Sequence, residues 1–219
     1  MNGELMLPTK PEGYISIVAS NFVFPIVSLF ESLNTVGSHP PNEVQASPLE
    51  NGYSLAIITL TVLMVESAVS RTQYMMKVSP PQKALEFIKQ EFQNDLFQKV
   101  EEIFVIRDTI AHNHVWEANI YWDENGNLRL VDAQRVKGYG DKKFEKAVDG
   151  NSRKTKILGL NVFPNRICRA DALIVLQTAF EFLSETERKD HNYFSVRALI
   201  VKYKGNVIDF KKFMSEISA

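Results

Sequence analysis

The most constraining feature of this sequence is an uncharged segment from Asn51 to Val65, which ends at Glu66. A helix that is apolar around its whole circumference lies either in the centre of a packed core or in a membrane. A second uncharged segment, Gly13 to Phe30, precedes it. A membrane-spanning helix needs about 20 predominantly apolar residues, and polar residues interrupt both segments. We interpret both as core helices of a soluble protein; a membrane-associated helix pair is the alternative.

The composition fits one globular domain. The chain has 219 residues, of which 45% are hydrophobic and 11% aromatic, enough for a sizeable buried core. Its formal net charge of −1 creates no overall field towards nucleic acid or anionic lipid, so any such contact must come from a local patch. Cys168 is the single cysteine, which excludes an intramolecular disulfide and a multi-cysteine zinc site. With no basic, signal-like N-terminus, these features predict a cytoplasmic protein.

The first half of the chain has helical periodicity and ordinary helix breakers. A proline inside a helical pattern predicts a kink or a break, and we expect one near Pro25. The polar segment from Gly37 to Gly52, rich in proline and glycine, predicts an exposed loop. The predicted helices are Tyr14–Thr35, Ser54–Met76, Gln82–Phe92 and a fourth that starts at Asn94 or Asp95.

After His114 the period of the pattern changes from helical to two. Alternation from Trp116 to Trp122 predicts a strand, Asp123 to Asn127 a turn, and Leu128 to Asp132 the returning strand. The fold class is therefore mainly α, a single helical domain over 1–219 with a β-hairpin and basic-loop insertion over 115–165, after the fourth helix. Further along the chain we expect a strand at Ile157–Phe163, a helix at Arg169–Arg188, a strand at Ala198–Tyr203 and a closing helix from Asp209.

Arg107 occupies an unusual position on the fourth helix. On a helical wheel it falls within the apolar stripe. Because a guanidinium keeps its charge, it must face a polar cleft, an interface or a carboxylate. Glu66, which ends the apolar part of the second helix, is the candidate partner, and Glu101 or Glu102 are alternatives. The stripe consists of Leu96, Val100, Ile103, Phe104, Ile110 and Ala111.

Two histidines follow Arg107 closely. If the helix continued straight, His112 would lie about 140° around the axis from Arg107, whereas His114 would lie almost above it. One straight helix therefore cannot aim Arg107 and His112 at the same point. Either the helix ends near His112, as the strand pattern from Val115 indicates, or a second subunit completes the cluster.

The segment Arg107-x-x-x-x-His112, with Asp108 after the arginine and His114 two residues beyond the first histidine, resembles the HEPN superfamily motif. The likeness covers about Leu96 to Trp122, and Asp108 departs from the asparagine common at that position. The resemblance implies a helical bundle, often dimeric, in which the motifs of two copies meet in one cleft. Many members are metal-independent endoribonucleases of toxin–antitoxin or phage-defence systems, and others are inactive binding modules.

The resemblance implies a chemistry that these residues are able to perform without a metal or cofactor. The ribose 2′-hydroxyl is the nucleophile, and His112 moves a proton as the acid or base. Arg107 stabilises charge on the phosphorus. His114 is an auxiliary group, and Asp108 orients a histidine.

The histidines also have other interpretations. His114 fits a cation at a helix C-terminus. If both histidines lay on one strand, His112 and His114 would share a face and could ligate a metal. Zinc needs three or four ligands, and the only other histidines are His39 and His191. We therefore predict no metal site.

The stretch from Arg135 to Lys156 is a candidate RNA-binding surface. It carries eight basic and three acidic residues, and an aromatic residue follows two of the lysines. A solvated polar loop is the alternative interpretation. The residues predicted to contact RNA are Lys142, Lys143, Lys146, Arg153 and Lys154.

Two hypotheses follow. In the first, the protein is a HEPN-type endoribonuclease that acts as a homodimer on RNA, as a toxin or defence effector with a possible antitoxin protein as partner. In the second, it is a catalytically inactive HEPN-like module for binding or assembly. The enzyme requires Arg107 and His112 to converge on an open cleft, whereas the module holds Arg107 in an ion pair.

Overall fold

The protein is described by a computed structural model, which covers residues 18–36, 44–92, 95–112, 115–138, 141–189 and 196–218. It is mainly helical, with three separate two-stranded antiparallel sheets, β1-β2, β3-β4 and β5-β6. The helices are α1 (Ala19–Thr35), α2 (Pro48–Met75), α3 (Ala84–Glu91), α4 (Asp95–Ala111), α5 (Asp141–Ala147), α6 (Arg169–Lys189) and α7 (Phe210–Ile217). The strands are β1 (Trp116–Trp122), β2 (Leu128–Arg135), β3 (Val148–Asp149), β4 (Lys154–Thr155), β5 (Ile200–Tyr203) and β6 (Asn206–Asp209).

Helix α2 forms the centre of the main core, as its uncharged sequence predicted. It packs against α1, α6, α4 and α3. Among the described helices it is the one that is long and apolar enough to cross a membrane, and half of its most apolar window is buried inside the protein. The core helix of a soluble protein passes the same test of length and composition, and α2 packs against four neighbouring helices.

Two helices differ from their predicted bounds. Helix α1 runs through Pro25 without the predicted break, and Tyr14 lies outside the described residues. Helix α2 begins at Pro48, within the segment we had expected to be a loop. The reason is an N-terminal cap: the Ser47 side chain accepts a hydrogen bond from the Glu50 N–H at 3.2 Å, and proline is well suited to the first helical position.

The hairpin β1-β2 follows α4 as predicted, and β2 continues to Arg135. Its turn is closed by Asp123, whose carboxylate accepts hydrogen bonds from the Asn125 and Asn127 N–H groups. The pairing changes register between Asn119 and Ile120, which leaves Val131 as an extra residue in β2. This is a β-bulge, which bends the strand and increases its twist.

The predicted strand at Ile157–Phe163 is wrong. Apart from a single bridge between Lys154 and Asn161, this segment pairs with no described strand. Leu160 and Val162 are fully buried, whereas Ile157 is exposed, and the first backbone donors of the segment go to the Glu102 carboxylate. The polar stretch before it, expected to be an irregular loop, contains α5 and the β3-β4 pair.

The insertion has a small core of its own. Val105 of α4 packs there with Phe144, Ala147, Val148 and Val162, and the Trp116 ring covers them. The Trp116 ring lies 5.4 Å from Phe163 and 6.3 Å from Phe144, measured between centroids. This cluster attaches the first half of the hairpin to the bundle.

The C-terminal segment closes the main core. The expected strand is β5, and a turn at Lys204 and Gly205 leads into an additional strand, β6. Helix α7 is capped by Asp209, which accepts a hydrogen bond from the Lys212 N–H at 2.7 Å. Phe213 of α7 packs edge-on against Phe30 of α1 and Tyr203 of β5. The tail is therefore part of the same domain as the bundle.

Candidate functional site

Arg107 lies in the last turns of α4, between the main core and the insertion. Its neighbours Phe104 and Ile106 are buried, and the Arg107 side chain itself is 18% exposed. A guanidinium at this depth needs partners for its charge. The guanidinium carbon of Arg107, Cζ, lies 5.6 Å from the centre of the Phe104 ring, one helical turn earlier. This distance is within the range of a cation–π contact.

The principal partner of Arg107 is Glu66 of α2. Arg107 Nη2 donates a hydrogen bond to Glu66 Oε1 at 2.6 Å, and the Glu66 side chain is 31% exposed. This contact is the ion pair that the sequence suggested. The alternative partners are engaged elsewhere: Glu101 pairs with Lys146, and Glu102 accepts backbone hydrogen bonds from the insertion.

Asp108 extends the ion pair into a network of four charges. Its Oδ1 lies 3.4 Å from Arg107 Nε, which is an ion-pair distance without hydrogen-bond geometry. Its Oδ2 accepts a hydrogen bond from Lys143 Nζ of α5 at 2.7 Å. Lys143 also lies 5.8 Å from the Phe104 ring centre. The network contains two cations and two carboxylates, so it carries no surplus positive charge for a phosphate.

His112 follows Arg107 by five residues and faces another side of the same helical turn. Its backbone N–H donates to the Asp108 carbonyl at 2.9 Å, so the helical turn continues through His112. Five residues of helix place its side chain about 140° from that of Arg107. The side chain is exposed. His114 lies outside the described residues, so its predicted place beside Arg107 stays a prediction.

The predicted RNA-binding lysines have different environments. Lys143 and Lys146 are held in ion pairs with Asp108 and Glu101 of α4. Lys142 and Lys154 are exposed, and Arg153 is partly exposed. Two of the five residues predicted to bind RNA therefore form ion pairs that attach α5 to α4.

Lys156, which the prediction left out, also has a structural place. Its ammonium group donates to the Glu145 and Lys146 carbonyls at the C-terminal end of α5, where a cation is favoured.

Glu102 is the strongest polar anchor of the insertion, and the sequence analysis missed its role. Its side chain is 2% exposed, and its two carboxylate oxygens accept hydrogen bonds from the Ile157 and Leu158 N–H groups at 2.8 and 2.7 Å. An open groove of about 230 Å³ lies beside it, lined by Gln98, Glu101, Lys146 and Lys156. The backbone groups that it binds begin 55 positions away, so no local sequence pattern indicated this role.

Cys168 and Asp171 form a cap at the start of α6. The Asp171 carboxylate, 2% exposed, accepts hydrogen bonds from the Cys168 N–H at 2.9 Å and from Asn161. Burial, followed by the charge of Asp171, raises the pKa of the Cys168 thiol. The cysteine thus lies directly before α6, with a poorly ionised thiol.

Within the described part of the chain, no group of three or more histidine, cysteine, aspartate or glutamate side chains is arranged to hold a metal ion. The described residues therefore indicate no metal centre, and His114 lies outside them.

In comparisons with known proteins, no family model matches this chain, and no curated protein or solved structure is significantly similar to it.

Proposed function

We propose that this protein is a non-catalytic, HEPN-like helical module that serves binding or assembly, with Arg107 as a structural residue. The observation that carries the proposal is the 2.6 Å ion pair between Arg107 and Glu66, in which the arginine side chain is mostly buried. A phosphate would have to displace a carboxylate from this arginine and would then face both Glu66 and Asp108.

The charge balance of the network supports the same conclusion. Stabilising the transition state of phosphoryl transfer requires hydrogen-bond donors or cations that are already oriented towards the developing charge. Here Arg107 and Lys143 are neutralised by Glu66 and Asp108 at distances of 2.6 to 3.4 Å. The network joins α2, α4 and α5, and it therefore stabilises the packing of the insertion against the bundle.

The HEPN-like part of the proposal rests on the motif and its setting. Arg107 and His112 occupy the end of a core helix in a helical bundle, as the resemblance implies. The departure at Asp108 has a structural counterpart, because this carboxylate binds Lys143. We place the protein in the cytoplasm, in keeping with its single, half-buried cysteine.

A metal-independent endoribonuclease is the second candidate function. One observation favours it: His112 is exposed at the end of α4, and the Arg107–Glu66 pair reaches the surface. A second copy could bring its own His112 to Arg107, so this function requires a composite site in a homodimer. RNA is then the substrate, and an antitoxin protein is a possible partner.

The test is an RNA cleavage assay with EDTA present, on several RNA classes. It compares the wild-type protein with Arg107→Ala, His112→Ala and, as a control for contaminating nucleases, Lys211→Ala on the exposed side of α7. We expect the same background with all four proteins. Cleavage by the wild type and Lys211→Ala that is lost in Arg107→Ala and His112→Ala, with cyclic-phosphate ends, would replace this proposal with the ribonuclease.

A further inference from the structure

Strand β1 has an unpaired edge and exposed aromatic side chains. Among the described residues its sheet contains only β1 and β2. Beyond Trp116 every residue of β1 is exposed, with Trp122 at 71%, Tyr121 at 53% and Ile120 at 49%. A two-stranded hairpin is only marginally stable alone in water, and an exposed apolar edge strand is a template for pairing with another chain. The part of the hairpin beyond Trp116 therefore presents an apolar edge that a further strand is able to pair with.

The sequence of β1 is nearly symmetric about its central residue, Asn119. Trp116 and Trp122 are three positions on either side of it, Glu117 and Tyr121 two positions, and Ala118 and Ile120 one position. Pairing with an identical antiparallel strand would place tryptophan opposite tryptophan and alanine opposite isoleucine. Glu117, the one charged residue of β1, would face Tyr121 rather than a second carboxylate. Aromatic and aliphatic cross-strand pairs stabilise a sheet, and like charges directly opposite destabilise it.

The other edge of the hairpin is poorly suited to the same contact. Strand β2 is interrupted by the bulge at Val131, and it carries Arg129, Asp132 and Arg135. Bulges and charges are the features that protect an edge strand from pairing. The free edge that is regular and apolar is therefore that of β1.

The charges of the hairpin also favour a second copy over a charged ligand. Between Val115 and Gly138 there are four acidic residues (Glu117, Asp123, Glu124, Asp132) and three basic ones (Arg129, Arg135, Lys137). A phosphate backbone requires a basic surface, and this one is close to neutral. A nearly neutral patch does not repel an identical patch, and a two-fold symmetric interface requires such self-complementarity.

We propose that β1 is a dimerisation edge: β1 pairs antiparallel with β1 of a second copy about a two-fold axis at Asn119, giving a continuous four-stranded sheet. Trp122 of each copy then lies opposite Trp116 of the other and extends the aromatic cluster that Trp116 forms with Phe144 and Phe163. This inference deepens the proposed assembly role by naming the partner.

This dimer differs from a composite catalytic site. Antiparallel pairing places the two copies of Trp116 at opposite ends of the shared ladder, roughly 20 Å apart along the strands at about 3.4 Å per residue. Each α4 helix ends just before the Trp116 end of its own β1, so the two α4 C-termini also lie towards opposite ends of the shared ladder. The β1 interface therefore does not require Arg107 and His112 of two copies to meet.

The first test is sedimentation equilibrium of the full chain from micromolar to hundreds of micromolar concentration. We expect a species of about twice the 24.9 kDa of one chain. Ile120→Lys places a charge opposite Ala118 of the second copy and should weaken the dimer at least tenfold. Val131→Lys on the bulge of β2, 66% exposed, is the matched control and should leave the dimer unchanged. Far-UV circular dichroism confirms that both variants remain folded.

Disulfide cross-linking tests the register without relying on Ile120. In a Cys168→Ser background, where serine keeps a good helix cap, Asn119→Cys should give a disulfide-linked dimer under mild oxidation. Paired strand residues lie about 4.5–5.5 Å apart between Cα atoms, within the range of a disulfide. Glu117→Cys should not cross-link, because its two copies would lie roughly 14 Å apart.

A monomer at all concentrations would overturn the inference, as would a dimer that Ile120→Lys leaves intact or that cross-links equally at positions 117 and 119. A dimer that cross-links in another register contradicts the two-fold axis at Asn119 and so also overturns the inference as stated. Because these measurements use no RNA, their failure is distinct from a failure of the non-catalytic assignment, which depends on the cleavage assay.

Discussion

Arg107 of α4 and Glu66 of α2, 41 positions apart in the sequence, are joined by a hydrogen bond of 2.6 Å. The pair links the central helix to the one that precedes the hairpin. Through Asp108 it continues to Lys143 of α5 at 2.7 Å. One arginine thus connects the bundle to the insertion, and that connection is the physical basis for treating it as a structural residue.

Glu102 should contribute far more to stability than its neighbour Glu101. Glu102→Ala removes the buried acceptor of the part-buried Ile157 and Leu158 N–H groups, and we expect a loss of about 2–4 kcal/mol in the free energy of unfolding. Glu101→Ala removes an ion pair to Lys146, whose side chain is 63% exposed, and should cost less than about 1 kcal/mol. Urea denaturation of the three proteins measures both values; equal losses would contradict the anchoring role of Glu102.

Cys168 should react slowly with alkylating agents. Burial, and then the charge of Asp171, raises the pKa of its thiol, and the thiolate is the reactive form. At pH 8 we expect alkylation by iodoacetamide to be several-fold slower than that of an unstructured cysteine peptide. Unfolding in urea should restore the peptide rate. A native protein that reacts as fast as the peptide would show that the thiol is neither shielded nor held in its protonated form.

The hairpin turn should lose order only in strong acid. The hydrogen bond from the Asn127 N–H, together with the Arg129 side chain, lowers the pKa of Asp123 below its ordinary value of 3.8. A lowered folded-state pKa means that this contribution is fully present above the ordinary pKa and is lost as the pH falls through the lowered one. An NMR titration of the Asn127 amide should therefore have a midpoint below pH 3.8. A midpoint at or above that value would show that the carboxylate does not hold the turn.

Much of the fold could be predicted because its elements repeat a simple pattern. Helix α4 and strand β1 begin within a residue of the predicted positions, since apolar spacing changes from helical to alternating between them. The Arg107–Glu66 contact could be inferred because each charge interrupts an apolar helix face, and two such charges in one core tend to meet.

The failures have physical causes as well. Helix α5 has seven residues, too few for its periodicity to stand out in a lysine-rich segment. In the run Ile157 to Phe163, Leu160, Val162 and Phe163 are buried. Its first two N–H groups bind the carboxylate of the distant Glu102 instead of a strand, and no local pattern indicates that contact. At the start of α2, proline and glycine suggested a loop, while the Ser47 cap with Glu50 three residues later was the better signal.

In the candidate site, the sequence indicated the Arg107–Glu66 contact but not the contact between Asp108 and Lys143. The helical turn that includes His112 separates it from Arg107 in one chain, a separation that the wheel already indicated. Spacing alone could not show that α5 would fold back and place Lys143 against Asp108. That contact decides the charge balance of the network, and it depends on tertiary packing rather than on any local pattern.

The most direct test of the account is a double-mutant cycle between Glu66 and Arg107, measured by urea denaturation of the wild type, Glu66→Ala, Arg107→Ala and the double variant. Removing Glu66 leaves a mostly buried guanidinium without its main partner. For this partly exposed pair we expect a coupling free energy of about 1–2 kcal/mol, between the values for surface and buried pairs. A coupling free energy near zero, with Glu66→Ala as stable as the wild type, would contradict the structural role of Arg107. Arg107 would then again be a candidate for binding phosphate.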